Sequence, residues 1–148
     1  MENKTQTPLG LMDYNACGDV FLQKIYKYHD DDIFLSIKIK DIDSVHDVDF
    51  LFIKSILESL SVFLEKATDY LCDACLKSPG EFGYNIDKFS AIVEPVVSEP
   101  EITFWDNSKW SILFSDGTIP ICKPYGILVN FDKEEIIDFD NLSDAEEV

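Results

Sequence analysis

The sequence contains no arginine: all 12 basic residues are lysines, against 29 Asp and Glu, and the net charge is -17. The chain therefore lacks the guanidinium fork that binds phosphate or carboxylate in a bidentate way. Nucleic-acid binding needs a positive surface, and anionic membranes attract basic segments. The composition thus excludes nucleic acid and membrane surfaces as partners.

Long uninterrupted apolar runs are also missing. The most apolar stretch, residues 48–76, is interrupted by Lys54, Glu58, Glu65, Lys66, Asp69 and Asp73. It therefore cannot span a bilayer as a helix. The first ten residues, MENKTQTPLG, lack the apolar core of a signal peptide. We therefore expect a cytoplasmic protein.

Cysteine is scarce, with Cys17, Cys72, Cys75 and Cys122. Cytoplasmic thiols are reduced by default. Cys72 and Cys75 have the C-x-x-C spacing, but a thioredoxin-like pair begins a helix, whereas this pair lies where a predicted helix ends. A zinc site needs two further ligands at suitable spacing, and the remaining candidates are scattered. A structural role is favoured, with metal binding and redox chemistry as the alternatives, and we predict no cofactor.

Catalytic motifs are absent as well. His29 precedes three aspartates and His46 lies among Asp41, Asp43, Asp47 and Asp49, which is a composition that can hold a divalent cation. However, the sixth position of an EF-hand-like loop from Asp41 is His46 rather than glycine. No G-x-S-x-G, G-x-G-x-x-G or P-loop occurs. We therefore predict that these aspartates are solvated residues of turns and helix caps. We also predict that the protein binds no metal and has no enzymatic activity.

The chain nevertheless has enough apolar material for a core, with 46% hydrophobic and 13% aromatic residues in 148. This length corresponds to one domain. Residues 1–15 are polar and contain Pro and Gly, so we expect a flexible end. Residues 16–140 are predicted to form a single α+β domain, and residues 141–148 an acidic tail.

Two periodicities predict the fold. Alternation indicates strands over residues 20–28, 33–40, 102–106, 110–115, 127–132 and 135–139, with a possible edge strand over 91–97. Ile33, Leu35, Ile37 and Ile39 then share one face. Between the first two strands and the rest, a helical period extends from about Asp47 to Leu76. The order β-β-α-(β)-β-β-β-β predicts an antiparallel sheet of five to seven strands packed against one long amphipathic helix.

Three features suit the binding of a protein partner. Glu58, Glu65, Asp69 and Asp73 lie within roughly 80° of each other on the outer helix face, and we call them the acidic ridge. Trp105 and Asp106 belong to a predicted hairpin turn, and Tyr125 to a loop, where aromatic side chains can anchor an interface. The alternative for the ridge is a solvated face, and for the tryptophans a core position. We predict that Trp110 is buried and that Trp105 is at the surface.

The last quarter of the chain reads WSILFSDGTIPICKPYGILVNFDKEEIIDFDNLSDAEEV from Trp110. Together with the size and acidity, it resembles small bacterial immunity proteins encoded beside polymorphic toxins, including contact-dependent growth inhibition systems. The resemblance implies a cytoplasmic inhibitor without enzymatic activity that binds one toxin domain. A nuclease toxin has a basic cleft, which would attract an acidic partner. The alternatives are a nucleic-acid mimic that inhibits a DNA- or RNA-binding protein, and a small ligand-binding or enzyme domain with an unrecognised pocket.

Overall fold

A computed structural model describes residues 4–15, 20–28, 31–85, 87, 97–120 and 126–141. In these residues the fold is α+β, with eight strands in one sheet. The strands are β1 (Lys4–Thr7), β2 (Gly10–Asn15), β3 (Val20–Tyr28), β4 (Asp31–Ile39), β5 (Val97–Phe104), β6 (Lys109–Gly117), β7 (Ile127–Asp132) and β8 (Glu135–Asn141). Between β4 and β5 lie two helices, α1 (Phe50–Glu58) and α2 (Leu60–Lys77), and the short 3-10 helices Ile42–Asp47 and Pro79–Phe82.

The strands lie in the sheet in the order in which they follow along the chain. Every neighbouring pair is antiparallel except β4 and β5, which are parallel. Parallel neighbours require a crossover connection, and the segment with both helices provides it. The predicted wholly antiparallel sheet is therefore corrected at this one pair.

The predicted single long helix is divided at Ser59. The backbone N–H of Ser59 bonds the carbonyls of Ile56 and Leu57, and α2 begins at the next residue. The start is also later than expected, because the Asp49 carboxylate caps α1 by accepting the N–H of Phe52 at 3.1 Å. The predicted apolar stripe continues across the division. Of its residues, Ile53, Ile56, Leu60, Phe63, Ala67 and Leu71 are buried and Ala74 is half-buried, and Phe50, Leu57 and Cys75 are buried as well.

The core lies between these helices and one face of the sheet. Its centre is Trp110 on β6, which is fully buried as predicted. The indole stacks with Phe131 at 4.2 Å and Phe104 at 5.6 Å between ring centroids, and Phe63 of α2 meets it edge-on at 5.3 Å. The indole N–H donates to the carbonyl oxygen of Lys133 at 2.6 Å, so its polar atom is satisfied.

The N-terminal segment differs most from the prediction. Residues 4–15 form the hairpin β1–β2 rather than a frayed end, and this hairpin raises the strand count to eight. The Thr7 hydroxyl donates to the Gly10 carbonyl at 2.7 Å and accepts the N–H of Leu9 at 3.1 Å, which closes the turn. Met12 is fully buried and joins the hairpin to the core.

The remaining strands follow the predicted pattern closely. β3 and β7 have the predicted bounds, and β4, β6 and β8 differ from them by one or two residues at their ends. β5 begins five residues before the predicted start at residue 102 and ends two residues before the predicted end at 106. The four isoleucine and leucine side chains predicted to share a face of β4 are all buried. Most of the predicted edge strand over 91–97 lies outside the described residues. Of the predicted tail over 141–148, Asn141 belongs to β8 and the other residues lie outside the described part of the chain.

Candidate functional site

The acidic ridge lies on the outer surface of the helices. Glu58 ends α1, and Glu65, Asp69 and Asp73 follow along α2. All four side chains are exposed, on the side opposite the buried stripe. The salt bridges between described residues involve none of these four carboxylates. The ridge is therefore a line of negative charge directed at solvent.

The lysine nearest to the ridge in sequence is turned away from it. The ammonium group of Lys66 donates to the carbonyl oxygen of Glu134 at 3.0 Å, in the turn between β7 and β8. It also lies 5.8 Å from the centroid of the Phe63 ring. These contacts direct its charge towards the end of the sheet rather than along the ridge.

Trp105 lies on the opposite side of the sheet from the helices. Its indole N–H donates to the Ser111 hydroxyl at 2.9 Å, and Ser111 is the neighbour of the inward-pointing Trp110. Successive side chains of a strand point to opposite faces, so Ser111 and Trp105 share the face without helices. Trp105 is 40% exposed, as predicted, and its ring meets Phe21 edge-on at 6.3 Å.

Asp106 organises the turn between β5 and β6. Its carboxylate accepts the backbone N–H groups of Ser108 and Lys109, each at 2.7 Å. The bond from the Lys109 N–H is the main cause that lowers the pKa of the Asp106 carboxyl below its ordinary value. The next residue, Asn107, accepts the N–H of Asp49 at 2.9 Å and so joins this turn to the start of α1. Asp106 therefore has a structural task, and partner binding by it stays a prediction.

The predicted partner-binding residues do not form one surface. The acidic ridge is on the outer face of the helices, whereas Trp105 is on the opposite face of the sheet. The groove of about 400 Å³ beside Trp105 is lined by charges of both signs, from Lys38, Lys40, Asp47 and Asp106. Tyr125 lies outside the described residues.

The cysteines and histidines do not converge on a metal site in the described residues. No group of three or more potential metal ligands occurs there. Cys75 is fully buried in α2, and burial, followed by the neighbouring Cys72, raises the pKa of its thiol. The imidazole of His46 is exposed and lies 3.6 Å from the Asp47 carboxylate. Cys17, Cys122 and His29 lie outside the described residues.

A cleft that no sequence pattern predicted lies between β4 and β5. These strands pair only from Leu35 with Ile102 to Ile37 with Phe104, and no pairs form between described residues 31–34 and 97–101. The cleft that opens there has a volume of about 710 Å³. Its described lining consists of Ile25, Tyr28, Asp31, Asp32, Ile33, Phe34, Leu64, Ser98, Glu99, Pro100, Glu101 and Ser115.

The backbone at Glu99 marks this cleft. Glu99 has a φ of 54°, in the left-handed region that costs a non-glycine residue about 1–3 kcal/mol. The Ser115 hydroxyl of β6 donates to the Glu99 carbonyl at 3.1 Å and holds this conformation. Pro100 follows and has no N–H to donate to a neighbouring strand. No sequence periodicity signals such a local departure from the strand conformation.

No described helix is long and apolar enough to cross a membrane. Comparison of the chain with protein-family models, with curated proteins and with solved structures finds no match.

Proposed function

We propose that this protein is a cytoplasmic immunity protein that binds and neutralises a toxin domain with a basic surface, such as a nuclease. The observation that carries the proposal is the acidic ridge: four exposed carboxylates without salt bridges to described residues, in a chain of net charge -17. The resemblance of residues 110–148 to immunity proteins supports the same function.

The physical basis is electrostatic complementarity. The active cleft of a nuclease is basic because it binds phosphates, so it attracts a line of carboxylates and accelerates encounter. Carboxylates in the phosphate positions would then block substrate. Such charges contribute to affinity only when they are well paired, because desolvation offsets much of the attraction. Steering and specificity are therefore the main effects expected of the ridge.

The arrangement of the ridge favours this proposal over a nucleic-acid mimic. A mimic of a duplex needs two rows of negative charge spaced like its two phosphate backbones. The ridge is one line of four carboxylates along α1 and α2.

The test is the rate of association with the toxin domain encoded by the neighbouring gene, measured by stopped-flow fluorescence. The ridge variant combines Glu58→Lys, Glu65→Lys and Asp69→Lys. A control variant combines Glu81→Lys, Asp87→Lys and Glu135→Lys, which are exposed positions that do not belong to the ridge. Both variants change the net charge equally, and circular dichroism checks that both fold.

At low salt we expect the ridge variant to associate about 10-fold more slowly than the control variant. The difference should shrink in 0.5 M salt, where the Debye length falls to roughly 4 Å. Equal slowing in the two variants would show that only net charge matters and that the ridge is not the interface. Absence of any complex at micromolar concentrations would refute the immunity function with this partner.

A further inference from the structure

The face of the sheet opposite the helices has a row of exposed apolar side chains beside the β4–β5 cleft. Ile25 of β3 and Phe34 of β4 pair directly across the strands and are 48% and 38% exposed. Leu11 of β2 continues the row towards the sheet edge and is 54% exposed. Contiguous apolar side chains at a surface mark interaction sites more often than isolated ones do.

Carboxylates stand on both sides of the cleft that this row adjoins. Asp31 and Asp32 begin β4, and Glu99 and Glu101 lie across the cleft on β5. Of these four carboxylates, only Asp32 forms a salt bridge with a described residue, which is Lys27. Asp31 and Glu101 therefore carry charges that no salt bridge with a described residue neutralises. By strand alternation Asp31 belongs to the face of Ile33 and Glu101 to the face of Phe34, so the two carboxylates line the cleft from different faces of the sheet.

We propose that this surface docks a protein segment that carries an arginine next to an apolar side chain. The guanidinium group would enter the cleft between Asp31 and Glu101 and lie against the ring of Phe34. The apolar neighbour would cover Ile25 and Leu11. Arginine fits better than lysine, because its planar group pairs with carboxylates in a bidentate way and stacks on aromatic rings.

The size and chemistry of the cleft agree with this occupant. Its volume of about 710 Å³ lies within the range of roughly 300–1,000 Å³ that is usual for ligand pockets. An arginine side chain has an aliphatic stem for the apolar lining and a charged end for the carboxylates. The apolar row lies on the opposite face of the sheet from the acidic ridge, whereas the cleft extends to Leu64 of α2. None of the four ridge residues lines the cleft, so the inference goes beyond the function proposed above and does not depend on it.

The test is a titration of the full ¹⁵N-labelled chain, followed by NMR, with a capped hexapeptide of alternating leucine and arginine. A second peptide contains citrulline in place of arginine, which keeps the shape and removes the charge. We expect chemical-shift changes centred on Ile25, Phe34 and Glu101, and at least 10-fold weaker binding of the citrulline peptide. A lysine version should bind less tightly than the arginine version.

Variants separate the cleft from general electrostatic attraction. The pair Asp31→Asn and Glu101→Gln should weaken binding of the arginine peptide about 5- to 10-fold, and Phe34→Ser should weaken binding as well. The matched control, Glu134→Gln with Glu135→Gln, removes the same charge at the opposite end of the sheet and should leave binding unchanged. The dispersion of the NMR spectrum checks that each variant is folded.

Shift changes centred on the acidic ridge, or equal binding of the arginine and citrulline peptides, would overturn the proposal. Equal weakening by the cleft and control pairs would overturn it too. The outcome is independent of the toxin experiment. Peptide binding at the cleft without a toxin complex would support this proposal and refute the immunity function. A toxin complex without peptide binding at the cleft would support the immunity function and refute this proposal.

Discussion

Substituting alanine for Gly126, just before β7, should destabilise the fold far more than the same change at Gly10. Both glycines have a positive φ, which is 90° at Gly126 and 103° at Gly10. This conformation costs an alanine about 1–3 kcal/mol at either site. The space around them differs. A Cβ at Gly10 would meet only the ammonium group of Lys24, at 3.6 Å, whereas at Gly126 it would lie 2.3 Å from the carbonyl oxygen of Phe114.

The additional cost at Gly126 follows from the position of Phe114 in the sheet. Its backbone belongs to β6 and pairs with Pro100 of β5 on one side and Ile127 of β7 on the other. Restoring a normal contact distance requires a shift of roughly 1 Å in this central strand. Ladder hydrogen bonds of about 1 kcal/mol each are then strained. We expect a total loss of about 3–5 kcal/mol for Gly126→Ala and about 1–3 kcal/mol for Gly10→Ala.

Urea unfolding followed by tryptophan fluorescence and circular dichroism measures the difference. With a slope of about 2 kcal/mol/M, Gly126→Ala should lower the midpoint by roughly 1.5–2.5 M, and Gly10→Ala by roughly 0.5–1.5 M. If the dependence of the unfolding free energy on urea concentration is unchanged, the lower midpoint does not come from a change in the compactness of the unfolded state. If Gly126→Ala costs no more than Gly10→Ala, the steric reasoning about the β6 backbone is wrong.

Three further outcomes are expected. Asp106→Ala should lower the free energy of unfolding by about 1 kcal/mol at neutral pH, because the turn loses the hydrogen bonds to its carboxylate. This difference from wild type should vanish in acid, as the low-pKa carboxyl of the folded wild type becomes protonated. A difference that grows in acid would contradict this reasoning. Trp110→Leu should cost about 3 kcal/mol in urea unfolding, since a buried ring and its bond to Lys133 are lost; a loss under about 1 kcal/mol would mean that the site repacks freely. In the native protein, iodoacetamide should label Cys72 well before Cys75, as followed by peptide mass spectrometry, and equal rates would contradict the burial of Cys75.

Local periodicity predicted the parts of the fold that depend on neighbouring residues. The alternation in β3 and β7 was sufficient to predict these strands, and the apolar stripe was sufficient to predict the helical segment. Each pattern arises because one face of the element is buried. The burial of Trp110 followed from the same alternation, which aligns it with Ile112 and Phe114. The division at Ser59 was missed because the stripe continues through it without a proline or glycine.

Features that depend on distant residues could not be predicted in this way. The hairpin β1–β2 contains the polar run Lys4–Thr7, and its place in the sheet depends on pairing with β3. The parallel pairing of β4 with β5 depends on where the chain returns after the helices. The cleft depends on the early end of that pairing and on the φ of Glu99, neither of which leaves a local sequence signal.

The parallel pair also has a consequence for how the chain assembles. Every other strand pair joins consecutive segments through a short connection, so β1–β4 and β5–β8 are two meanders with contacts of low sequence separation. Among the described strand pairings, only the three residue pairs from Leu35 with Ile102 to Ile37 with Phe104 close a long loop, with the associated entropy cost. We therefore expect the meanders to form early and their union to limit the folding rate. The same junction is where the native sheet should separate first, and it lies beside the cleft.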